Sequence, residues 1–108
     1  MKLISRIEEI IMLSIWRLRT EAYGVTILEA VEKATGKSWL TGSIYASLGR
    51  LLRRGYVVSI EGEPLPERGG RRKIYYRLTG EGQRALVEIK KINLNAWADL
   101  PTFDIEEK

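Results

Sequence analysis

Four stretches of the chain carry apolar residues at helical spacing, and two short runs of β-formers flank a segment rich in glycine and proline. From Leu3 to Arg19, the residues Ile4, Ile7, Ile11, Ile15 and Leu18 follow a period of about 3.6 residues, and Leu3, Ile10 and Leu13 widen the stripe. A helix apolar over so much of its circumference is covered on more than one side, which predicts a core face and a partner-facing one. A second helix is expected from Ala22 to Ala34, with Tyr23, Ile27, Leu28, Val31 and Ala34 on one stripe and Gly36 suited to the left-handed residue that ends it. The third begins near Thr41 or Gly42, where Thr41 or Ser43 is placed to cap free N–H groups, and runs to Arg54. Its pattern puts Ile44, Leu48, Leu51 and Leu52 inside and Ser43, Ser47, Arg50 and Arg54 outside, small and polar first, cationic beyond.

Val57 to Ile60 and Lys73 to Leu78 read as two strands joined by a long loop, Glu61 to Arg72, with a basic tip, Arg68-Gly69-Gly70-Arg71-Arg72-Lys73. Tyr75 and Tyr76 alternate across this ribbon, so one faces the core. Thr79 is placed to cap a fourth helix, whose apolar positions Ala85, Leu86, Ile89, Ile92, Ala96 and Trp97 continue to about Asp99, before Pro101. The tail from Thr102 is acidic and expected to fray. The order helix, helix, helix, strand, basic loop, strand, helix is that of a winged helix-turn-helix. The fold class is therefore mainly α with a two-stranded β wing. Residues 1–78 form the winged domain, 79–100 a C-terminal helix and 101–108 the tail.

Length and composition narrow the chemistry. A single domain of 108 residues buries roughly two-thirds of its unfolded surface, enough for a modest core that a partner subunit would reinforce. With no Cys and no His the chain lacks thiol nucleophiles, the commonest metal ligand and the commonest general base, so no catalytic residue, metal or cofactor is assigned and an enzyme is disfavoured. Its longest nearly apolar stretch, Ile10 to Trp16, is far short of the ~20 residues that span a bilayer. A soluble, cytoplasmic protein with no membrane contact is the expectation. Charge adds a direction: the formal net charge is +4, but Lys37 to Arg77 carries +6 and the remainder −2. Positive charge concentrated on the third helix and wing suits a polyanion, because phosphates are neutralised by cations on one face.

The stretches Ala22-Tyr-Gly-Val-Thr-Ile-Leu-Glu29, Gly42-Ser-Ile-Tyr-Ala-Ser-Leu-Gly-Arg-Leu51, Gly55-Tyr56 and Arg68-Gly-Gly-Arg-Arg-Lys-Ile-Tyr-Tyr-Arg-Leu-Thr-Gly-Glu-Gly82 together resemble the PadR-type transcriptional regulators. The resemblance implies a repressor that binds double-stranded DNA as a homodimer, paired mainly through its last helix with the first assisting. By position it places Ser43, Tyr45 and Arg50 on the recognition helix and Gly70, Arg71, Arg72 and Lys73 in the wing. With the outward stripe and the flanking cations, the expected DNA-contacting set is Lys37, Ser43, Tyr45, Ser47, Arg50, Arg54, Arg68, Gly70, Arg71, Arg72 and Lys73. The expected dimer interface is Ile4, Ile7, Ile11, Leu86, Ile89, Ile92 and Ala96. Two departures stand out: Ala46 follows Tyr45 where many members have proline, and the single C-terminal helix resembles the short branch of the family. Some short members bind flat aromatic effectors between subunits against a tryptophan of the last helix. Here that role would fall to Trp97, with Trp16 contributing across the interface. A winged-helix module for protein interaction or RNA binding shares the same basic centre and stays open at this level.

Overall fold

The computed structural model describes residues 3–64, 69 and 72–105. Helix α1 spans Arg6–Leu18, followed by a 3-10 turn, Arg19–Glu21, then α2, Gly24–Thr35, and α3, Thr41–Arg53. Strands β1, Val57–Pro64, and β2, Arg72–Leu78, pair antiparallel, and α4, Gly80–Trp97, follows. The winged helix-turn-helix order read from the pattern is the order found.

Local chemistry sets each boundary. Ser5 caps α1 in a reciprocal box: its Oγ accepts from the Glu8 N–H at 3.2 Å, while its own N–H donates to Glu8 Oε1 at 2.8 Å. Gly36, at φ 69°, ends α2 as expected, its N–H donating to the Glu32 carbonyl at 2.8 Å. The second helix starts at Gly24 rather than Ala22, because Ala22 is in extended backbone whose carbonyl accepts from the Tyr76 N–H of β2 at 2.8 Å. Neither Thr41 nor Ser43 caps α3. Leu40 occupies that position with no side-chain cap, so the hydroxyls expected to fill it do not. Trp39, just ahead of α3, packs partly buried against the core and is held by two hydrogen bonds, its N–H donating to Glu32 Oε2 and its indole N–H to Thr35 Oγ1, both 2.9 Å.

The ribbon is longer than the pattern suggested. β1 continues through Glu61 to Pro64, and the register slips between those two residues. The basic tip residues Arg68, Gly70 and Arg71 lie outside the described residues.

The core gathers Ile11, Met12 and Ile15 of α1, Ile27 and Val31 of α2, Ile44, Leu48 and Leu51 of α3, Val57 of β1, Tyr76 of β2 and Ile89 of α4. Of the two ring-bearing neighbours on β2, Tyr76 is the buried one, and burial, with Tyr45 adding to it, pushes its phenol pKa up. Leu52, expected inside, lies at the exposed edge of α3, and Ser47, expected outside, is buried. The fourth helix is anchored at its start: Thr79 Oγ1 accepts from the Gly82 N–H at 3.0 Å and donates to the Gly55 carbonyl at 2.7 Å. Gly82 then passes so close to the Tyr56 carbonyl that a Cβ would overlap it. Gly82→Ala is thus expected to destabilise the fold by about 1–3 kcal/mol, as overpacking against backbone does, read as a lowered thermal midpoint. α4 stops at Trp97, ahead of Pro101, with Asp99 at φ 59°. The segment beyond is exposed, with Phe103 edge-on to Trp97 at 6.2 Å.

Candidate nucleic-acid interface

The buried residues of α3 are Ile44, Ser47, Leu48 and Leu51. At about 100° per residue the direction opposite them is occupied by Gly42, Ala46, Gly49 and Arg53. This outward face is small-residued for about two turns and then cationic. It differs from the stripe read from the sequence, because a serine can be buried when its hydroxyl is satisfied, and Ser47 Oγ accepts from Arg50 Nη2 at 2.8 Å. Ser43 is exposed on the flank of the face nearer Arg50 and Arg54, and Tyr45 is half-exposed on the other.

Arg50 and Arg54, expected to project outward, turn toward α1. Arg50 Nε donates to Glu8 Oε2 at 3.3 Å and Arg54 Nη1 to Glu8 Oε1 at 3.4 Å. The Glu8 side chain is only 3% exposed, against 46% for Arg50 and 24% for Arg54. Burial alone would raise the Glu8 pKa. The Ser5 hydrogen bonds, the Arg54 charge and the Arg50 hydrogen bond outweigh it, and the carboxyl titrates below its ordinary range, so it is ionised throughout the neutral range.

On the Tyr45 side the helix meets the wing. Tyr45 lies over Gly24, where a Cβ would run into its ring. Together with Tyr23, Arg72, Lys73 and Ile74 they line a niche of about 90 Å³. Lys73 Nζ sits 4.2 Å from the Tyr23 ring centroid, and Tyr23 meets Tyr75 edge-on at 5.6 Å. Arg72 donates to the Gly62 carbonyl at 3.3 Å and pairs with Glu61 at 3.6 Å, an exposed contact that adds little rigidity. Two cations and a phenol therefore converge where the wing leaves the helical body. Lys37, also in the expected set, is exposed in the turn between α2 and α3.

The expected pairing residues divide by burial. Ile11 has no exposed surface and Ile4 and Ile89 are 8% exposed. Ile11 belongs to the chain's own core, a correction that follows from its packing. Ile7, Leu86 and Ile92 keep partial exposure, and Ala96 is exposed. The apolar surface that α1 does present is Leu13 and Trp16, at 44% and 45% exposed, neither assigned to pairing from the pattern. With Leu78, Leu86 and Val87 they line a groove of about 570 Å³ between α1 and α4, rimmed by Glu9, Gln83 and Lys90. Trp16 thus lies in this groove, with Arg19 stacked over its ring at 4.1 Å. Trp97 is not among its lining residues; it lies at the end of α4, two-thirds exposed. Within one chain the two tryptophans are not brought together.

Among the described residues no cluster of acidic side chains is placed to hold a metal ion, and no helix is long and apolar enough to cross a membrane. Residues 12–88 match the family described as Transcriptional regulator PadR-like family. The fold superposes on RosR of H. salinarum with a TM-score of 0.69 at 22% identity, covering 91% of this chain and 81% of that one. A PadR family transcription regulator of Clostridium difficile aligns with a TM-score of 0.61 at 28% identity, covering 85% and 90% of the two chains. A third, from Eggerthella lenta, aligns at 0.63 and 28% identity over 80% and 72%. No curated protein matches the chain.

Proposed function

The chain belongs to the transcriptional regulator PadR-like family, and from that premise we propose that it is a sequence-specific DNA-binding repressor acting as a homodimer on an inverted-repeat operator. The observation that supports this best is the outward face of α3: glycine and alanine at three successive turns allow close approach to base edges, and Arg53 beyond them is placed for a base or a phosphate. The niche of Tyr45, Arg72 and Lys73 lies beside that face and suits a backbone phosphate, and Arg68, Gly70 and Arg71 complete the proposed DNA-contacting set from the sequence. Such a surface fits a duplex better than an apolar protein partner.

Pairing in this reading uses the α1–α4 groove. Leu13, Trp16 and Val87 of one protomer receive the exposed end of the partner's last helix, where Leu94 and Trp97 are 62% and 67% exposed. A two-fold dimer then offers two α3 helices, so the half-sites are one helical turn or a multiple apart. A planar aromatic effector enters the same interface against Trp16 and releases DNA only by binding better to a dimer whose helices no longer match that spacing.

Selection of bound sequences from a random duplex pool tests function and symmetry together. The expected result is an enriched inverted repeat. Enrichment of a single unrepeated site overturns the two-fold reading, and failure to retain any duplex at low salt, with structured RNA or an acidic protein retained instead, overturns DNA binding.

A further inference from the structure

Glu8 holds a charge for which α1 alone has no need. The reciprocal cap with Ser5 is made as well by glutamine as by glutamate at this position, yet the residue is a carboxylate, almost wholly buried, with two arginines of α3 directed at it. Those arginines are four residues apart on one side of the helix and would repel each other without it. Arg50 is held twice, by Glu8 Oε2 and by the buried Ser47 hydroxyl. Drawing either guanidinium away to a phosphate would leave a buried carboxylate short of its partners, which is unfavourable.

We propose that Glu8 is a specificity-determining positioning residue: it holds Arg50 and Arg54 of α3 around a buried carboxylate and keeps two cations off the DNA backbone. Operator reading is thereby left to the face formed by Gly42, Ala46, Gly49 and Arg53. The chemistry is competition between one internal carboxylate and the phosphates of the duplex for the same two guanidinium groups. Sequence-independent attraction grows with each cation that reaches a phosphate, whereas base contacts carry the discrimination. Sequestering two arginines beside the reading face therefore widens the gap between operator and random DNA.

This rests on DNA binding as proposed above, and the salt dependence of binding separates the two. Glu8→Gln keeps an acceptor for the Ser5 N–H and removes the charge. It is expected to raise affinity for a random-sequence duplex about tenfold at low salt, and to steepen the slope of log affinity against log salt by roughly 1 to 2, one counterion per released arginine. Arg50→Ala with Arg54→Ala in the otherwise unaltered protein is expected to leave the slope within about 0.5 of its original value, and the triple variant returns to it. Glu88→Gln on α4, the same change of net charge elsewhere, leaves the slope as it was. An unchanged slope in Glu8→Gln, or a slope lowered by 1 to 2 in the arginine double variant, overturns the positioning role while DNA binding stands. Absence of duplex binding by the unaltered protein overturns both.

Discussion

Replacing both Leu13 and Trp16 with glutamate is expected to convert the proposed dimer to a monomer and to lower operator affinity at least a hundredfold. The two side chains are nearly half-exposed and line the α1–α4 groove, so their removal opens no cavity in the core formed by Ile11, Met12 and Ile15 one face away. Losing the buried half of each side chain and the Arg19 stacking on Trp16 costs about 2–4 kcal/mol in all, and the helical circular dichroism of the monomer should match that of the parent. Two carboxylates placed beside Glu9 make the groove repel an apolar segment of a second chain, which would have to desolvate them. The size of the loss in DNA binding comes from geometry: once one half-site is held, the second binds as an intramolecular step, and linked sites gain roughly 10² to 10⁴ in affinity. Sedimentation with a mobility-shift titration checks both halves. A variant that stays dimeric moves the interface elsewhere on the molecule, and a monomer that binds as tightly as the parent removes the need for two-fold pairing.

The elements and their order were legible in the sequence because amphipathic period and β-former runs report burial, and burial builds this fold. Ile44, Leu48 and Leu51 on α3, or Gly36 after α2, follow from spacing and backbone preference alone. The rotation of α3 was harder to read by the width of one side chain. Leu52 is apolar and Ser47 polar, and composition places them inside and outside. The structure reverses them, because the Ser47 hydroxyl is satisfied by Arg50 and the helix turns its Arg50–Arg54 side toward α1. That reversal depends on Glu8, more than forty positions earlier in the chain, and no local periodicity carries a pairing of that separation. The apolar stripe on α1 is broader than the core takes up, which leaves apolar side chains at the surface. Which residues lie there depended on how α2, α3 and the ribbon pack, and that packing takes Ile11 wholly inward and leaves Leu13 and Trp16 outward.

Gly49 separates the two demands on α3 most sharply. A glycine inside a helix costs about 0.5–1 kcal/mol relative to alanine, and a Cβ at Gly49 would meet nothing nearer than the flexible end of Arg53, Nη1 at 3.4 Å. Gly49→Ala is therefore expected to raise the stability of the free protein by that amount. Gly49→Leu, still a strong helix former on an outward-facing turn, should leave the free protein at least as stable as the parent. For DNA the direction reverses. A leucine in the middle of the small-residue face stands between Ala46 and Arg53, and in the proposed complex, where the helix backbone approaches the base edges, it would hold the whole helix away from the groove. Operator affinity should fall more than a hundredfold, about 2.7 kcal/mol, while sedimentation still shows a dimer, since the groove between α1 and α4 is untouched. Thermal unfolding and mobility shift on the same preparation read the two effects side by side. Operator binding undiminished in Gly49→Leu would mean that DNA lies on another face of α3, and the flank carrying Ser43, Arg50 and Arg54 would then be the place to look.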